Sequence, residues 1–100
     1  MNKIQITALL FAITLFSGGA NATGRMTCES GDKSTWKSEA ELIEKITAEG
    51  WQVRKVKEDG GCYEVYGRDP KERRVEAYFD PRTLENLLIA RRGEILYKKP

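Results

Sequence analysis

Four side chains carry the reactive chemistry open to this chain of 100 residues: the thiols of Cys28 and Cys62 and the carboxylates of Glu64 and Glu76. A catalytic or redox thiol acts as its thiolate. It needs a pKa lowered by a histidine, a neighbouring cation or a CxxC partner. The chain has neither a histidine nor a CxxC. The lack of histidine also removes imidazole general-base catalysis, histidine-based triads, facial-triad iron, most zinc sites and the usual haem ligand. There is no CxxCH and no glycine-rich phosphate loop opening a helix, and Met26 is the only methionine beyond residue 22. The expectation is a protein without cofactor, without metal and without enzymatic activity.

The first segment sets the redox compartment. Lys3 is followed by an apolar run from Ile4 to Phe16 and by small residues ending in Ala20-Asn21-Ala22. That is the three-part pattern of a secretory signal peptide over residues 1–22, with cleavage expected after Ala22 and a periplasmic product. A run of 13 residues containing Gln5, Thr7 and Thr14 is shorter than the ~20 needed to span a bilayer. No membrane span is therefore expected after cleavage. Cys28 follows Arg25-Met26-Thr27, which argues against a lipoprotein. Taking 22 residues from 100 leaves 78, enough for one small domain whose core is thin and calls for a staple. In an oxidising compartment two cysteines can pair in only one intramolecular way, so Cys28 and Cys62 are expected to form a disulfide. Beyond Ala22 the chain holds 16 basic and 15 acidic side chains, a balance that gives no case for nucleic-acid binding.

The elements that position these groups follow from the patterning. Residues 23–35 lack periodicity and read as an extended lead-in. Ser38-Glu39-Ala40-Glu41 is a capping box, so a helix is expected from 38 to 49, with Leu42, Ile43 and Ile46 on one stripe, a Glu41 to Lys45 ion pair and Gly50 as its stop. Trp51 to Lys57 alternates as a strand, with Val56 out of phase with Trp51 and Val53, the signature of a bulge or twist. Gly60-Gly61 is a hairpin turn into Cys62–Gly67, and Asp69-Pro70-Lys71-Glu72 turns the chain into Arg74–Phe79. The fold class is α+β: one helix on an antiparallel sheet, the helix covering Trp51, Val53, Tyr63, Val65, Val75, Ala77 and Phe79.

On that plan the other sheet face carries Arg54, Glu64, Tyr66, Arg74, Glu76 and Tyr78. Glu64 and Glu76 would be neighbours there, but a catalytic carboxylate pair needs enclosure to split its two pKa values. A sheet with one helix leaves its second face open, so a solvated ion-pair ladder with Arg54 and Arg74 is expected. Tyrosine and arginine together are the composition favoured at protein interfaces, which makes these six residues the candidate partner surface.

The final segment is ambiguous on local rules. Asp80-Pro81-Arg82-Thr83 could start a second helix carrying Leu84, Leu87 and Leu88, with Arg91 and Arg92 in its last turn and Gly93 ending it. The same residues could form a tight turn into a strand from Asn86 to Arg92. Three blocks bear on the choice: the helix ending Glu49-Gly50-Trp51, the strand Gly61-Cys62-Tyr63-Glu64-Val65, and Val75-Glu76-Ala77-Tyr78-Phe79-Asp80-Pro81-Arg82-Thr83. Together, over about residues 36–92, they resemble the PepSY domain family, small exported modules named partly after peptidase propeptides. The resemblance implies that the last segment returns as a strand, giving a sheet of three to four strands within a single domain over 36–100. Leu84-Glu85 departs from the glycine and charged residue often found after that turn in the family.

The resemblance also implies a function: a protein-binding module that regulates or inhibits a peptidase, or assists another exported or membrane-bound protein such as a redox membrane protein. A different class remains open beside it, a periplasmic accessory that holds a small molecule or peptide.

Overall fold

The computed structural model describes residues 24–100; the signal-peptide expectation over 1–22 lies outside the described residues. The helix begins where the capping box places it. Ser38 Oγ accepts the Glu41 N–H at 3.0 Å and the Glu41 carboxylate accepts the Ser38 N–H at 3.0 Å. Helix α1 spans Glu39–Ala48, and Gly50 ends it at φ 105°. Leu42 and Ile46, one turn apart, are fully buried, and burying each contributes about 1.5 to 3 kcal/mol. The stripe is narrower than expected: Ile43 is 38% exposed. The expected Glu41–Lys45 pair is also absent, because the cap takes up the Glu41 carboxylate, and Lys45 pairs instead with Glu49 at 2.8 Å.

The sheet is an antiparallel meander of five strands in sequence order: β1 (Gln52–Asp59), β2 (Cys62–Arg68), β3 (Arg74–Phe79), β4 (Asn86–Arg91) and β5 (Glu94–Lys98). Its helix-side face packs Trp51, Tyr63, Val65, Val75, Ala77 and Phe79 against Leu42 and Ile46, with Trp51 edge-on to Phe79 at 5.5 Å. The phase error at Val56 is a bulge: Val53 pairs with Gly67 and Lys55 with Tyr66, so Arg54 is the extra residue. Two consecutive side chains, Arg54 and Lys55, therefore turn toward the second face.

Residues 86–91 form a strand, as the family resemblance implies and against the local helical signal. The turn before it closes on Asp80, whose carboxylate accepts the Arg82 N–H at 2.8 Å and whose carbonyl accepts the Leu84 N–H at 2.6 Å. Leu84 sits at φ 65° with its side chain buried, which accounts for a leucine where glycine is common: core packing offsets the strained backbone. The sheet has five strands where three to four were expected. Arg92-Gly93, at φ 52° and 85°, forms a two-residue hairpin into β5, a turn readily mistaken for the end of a helix.

Candidate functional site

The second face of the sheet is not open along its whole length. The lead-in runs across it at the β1–β2 end, where Met26 and Cys28 pack on Cys62, Tyr78, Leu88 and Ala90. Cys28 and Cys62 are joined, with Cα atoms 5.2 Å apart. The Cys28 N–H donates to the Gly60 carbonyl at 2.7 Å and Ser30 Oγ donates to the Gly61 carbonyl at 2.7 Å. This crossing explains the paired glycines. Both have positive φ, and a Cβ on Gly60 or Gly61 would run into the carbonyl oxygen of Met26 or Cys28.

The cover changes the standing of two residues expected on the partner surface. Tyr78 is fully buried; its hydroxyl donates to Asp59 Oδ2 at 3.1 Å and accepts the Arg25 N–H at 3.4 Å. Burial pushes its pKa well above the ordinary tyrosine value, and the nearby Glu64 and Asp59 charges add to that. Glu64 is also fully buried, and neither carboxylate oxygen has a hydrogen-bond partner. Its nearest cation is Lys57 Nζ at 3.9 Å, and Glu76 meets Arg25 Nε at 3.7 Å. The expected ladder with Arg54 and Arg74 is thus replaced by pairs with Lys57 and Arg25. Residues 23–35 carry no periodic pattern to show that they cover a sheet, so this pairing could not be read from local patterning.

Burial pushes the Glu64 carboxyl above the ordinary glutamate range; the Tyr66 hydroxyl and the Lys57 ammonium oppose this only in part. A folded pKa above the unfolded 4.5 means that stability is fullest below that value and falls as pH rises through the folded pKa. Glu64→Gln is accordingly expected to raise Tm at neutral pH by about 4 °C or more and to flatten the stability profile above pH 4.5. Thermal melts of both proteins across pH check this, and an unchanged slope would contradict it.

Beyond the lead-in the face stays open. Arg54, Tyr66, Arg74, Glu76, Arg91 and Arg92 surround a groove of about 400 Å³ that also touches Gly67, Val75 and Ala90. Four of the six expected surface residues, Arg54, Tyr66, Arg74 and Glu76, are thereby brought together, while Glu64 and Tyr78 lie under the cover. Arg91 and Arg92 were missed as surface residues, because reading them as the basic last turn of a helix hid the hairpin that presents them. Lys55 and Lys57 each hold an ammonium 5.7 Å from the Tyr66 ring centroid, within cation–π range. Burial and the Glu64 charge push the Tyr66 hydroxyl up to about 12, so it remains a neutral donor.

The groove contains no paired nucleophile and base, and among the described residues no cluster of His, Cys, Asp and Glu is arranged to hold a metal ion. Among the same residues no helix is long and apolar enough to cross a membrane. One family profile, described as "Peptidase propeptide and YPEB domain", matches residues 6–88. The chain belongs to the PepSY family. PepSY domains are generally non-catalytic, propeptide- or inhibitor-like modules, typically extracellular or periplasmic. No curated protein and no solved structure matches the chain.

Proposed function

We propose that this PepSY protein is exported through a leader cleaved after Ala22, with residues 23–35 as a lead-in tied onto a single domain over 36–100, and that it binds and restrains an exported peptidase. The observation that supports this reading best is the open, arginine-lined groove left on the second sheet face where the lead-in stops. It presents Arg54, Tyr66 and Arg74 as a preformed rigid surface on three adjacent strands. Rigid strands carrying tyrosine and arginine are suited to protein contact at low ordering cost. Another exported or membrane-bound protein, a redox membrane protein included, would use the same face.

Inhibition of co-exported peptidases by the purified protein tests this. Tyr66→Ser together with Arg74→Ser is expected to weaken inhibition about tenfold or more with Tm unchanged within a few degrees. Equal inhibition by the variant would remove the groove from the account. A second reading, a small-molecule-binding accessory, draws on the groove's volume, which falls within the ~300 to 1,000 Å³ typical of ligand sites. A thermal shift with small molecules and no peptidase inhibition would favour it.

A further inference from the structure

We propose that the groove takes an extended, acidic stretch of a partner polypeptide, with its carboxylates on Arg54, Arg74, Arg91 and Arg92. The inference rests on the reading of this face as a protein-binding surface and names the chemistry it selects. Among the described residues none of the four guanidinium groups is paired with a carboxylate, although six other ion pairs form across the same domain. The one acidic side chain in the groove, Glu76, is already engaged by Arg25 at 3.7 Å. The cluster therefore holds like charges together without internal compensation, and the chemistry that completes it is anionic.

Two backbone features present these arginines. Arg54 is the extra residue of the β1 bulge, which turns it to the second face beside Lys55. Arg92 occupies the first position of the β4–β5 turn at φ 52°, where asparagine or glycine is preferred and arginine adopts the left-handed conformation at a cost. Strain of this kind persists where a side chain is needed at a set place.

The shape favours a chain over a point charge. From β1 to β4 the groove crosses three strand spacings, about 14 Å, which an extended peptide covers with about four residues. Arginines set on three different strands and a turn suit successive carboxylates along a chain, each of which can take two parallel N–H bonds. The Tyr66 ring contributes apolar surface for the methylenes of the bound chain. A phosphate site would instead converge its donors on one point, and the fixed Glu76 carboxylate disfavours a dense anion.

Fluorescence anisotropy with a labelled octapeptide of alternating glutamate and alanine tests the inference on the purified protein. Binding is expected, falling steeply as salt is raised, and the same peptide with glutamine for glutamate should bind about tenfold more weakly or worse. Arg91→Gln with Arg92→Gln should cost about tenfold. Arg92→Asn alone should weaken the complex while raising Tm, a combination that a merely structural arginine would not give. Equal binding of the glutamine peptide, an unchanged affinity in the double variant, or tighter binding of inorganic phosphate or phosphatidylglycerol vesicles than of the acidic peptide would each overturn the proposal. Peptidase inhibition that persists alongside equal glutamine-peptide binding would leave the protein-binding reading standing and remove only the acidic specificity. Acidic-peptide binding without peptidase inhibition would do the reverse to the choice of partner.

Discussion

Cys62→Ala, or reduction of the native protein, is expected to lower Tm by about 15 °C or more. The bond closes a loop over a sequence separation of 34, worth about 3 to 4 kcal/mol in the chain-entropy model, and each kcal/mol moves Tm by about 4 to 8 °C in a domain of this size. The consequence reaches beyond the loop itself. The bond holds the lead-in over Glu64 and Tyr78, together with the Gly24 N–H donating to Asp59 at 2.8 Å and the Arg25 contacts to Glu76 and Tyr78. Once the lead-in is released, water reaches the Glu64 carboxylate and its raised pKa relaxes. The stabilisation from Glu64→Gln should therefore shrink toward zero in the reduced protein, a coupling that a thermodynamic cycle of the two changes measures directly. A Tm shift of only a few degrees on reduction would show that the lead-in does not depend on the staple.

Asp69→Asn is the second large change. Asp69 is 2% exposed at the head of the β2–β3 turn. One carboxylate oxygen accepts the N–H groups of Lys71 at 3.0 Å and Arg73 at 2.9 Å, and the other accepts Arg73 Nε at 2.7 Å and Nη2 at 2.6 Å. Asparagine fills the same space but removes the charge and turns an amide donor toward one set of donors. The expected loss is about 2 to 4 kcal/mol, read by urea denaturation. A loss under about 0.5 kcal/mol, the range of ordinary surface changes, would contradict this. Burial alone would raise the Asp69 pKa, but its bonds to Arg73 and Lys71 outweigh burial and hold it below the usual 3.8. A depressed folded pKa means stability that is present above 3.8 and lost as pH falls through the folded value. Asp69 and Glu64 thus impose opposite slopes, one below pH 3.8 and one above pH 4.5. Each substitution should flatten its own limb and leave the other.

The elements legible from sequence were those whose signal is local. Ser38 and Glu41 mark the helix start because the capping box is a contact within four residues, and Gly60-Gly61 marks the hairpin because two positive φ angles demand it. Val56 reports the β1 bulge through a break in a period of two. The Cys28–Cys62 pair needed no geometry, only an even count and the expectation of an oxidising compartment. What stayed hidden depends on contacts between distant segments. An aperiodic lead-in does not announce that it lies on a sheet, so Glu64 and Tyr78 read as exposed. Gly93 ends a helix as readily as it completes a hairpin, so β5 and the position of Arg91 and Arg92 beside the groove were missed. Of the six residues expected on one face, the structure gathers Arg54, Tyr66, Arg74 and Glu76 around the groove, joined there by the two arginines of the β4–β5 hairpin that sequence patterning assigned elsewhere.

The open end of the second sheet face, and not the helix side, is the surface expected to meet the partner. Titrating isotopically labelled protein with the alternating glutamate–alanine octapeptide and following backbone amide and arginine Nε resonances tests it most directly. Saturable shifts are expected at Arg54, Tyr66, Arg74, Arg91 and Arg92, with Ile43 and Lys45 on the helix unmoved. Shifts centred on the helix, with the arginine Nε signals unchanged, would contradict it.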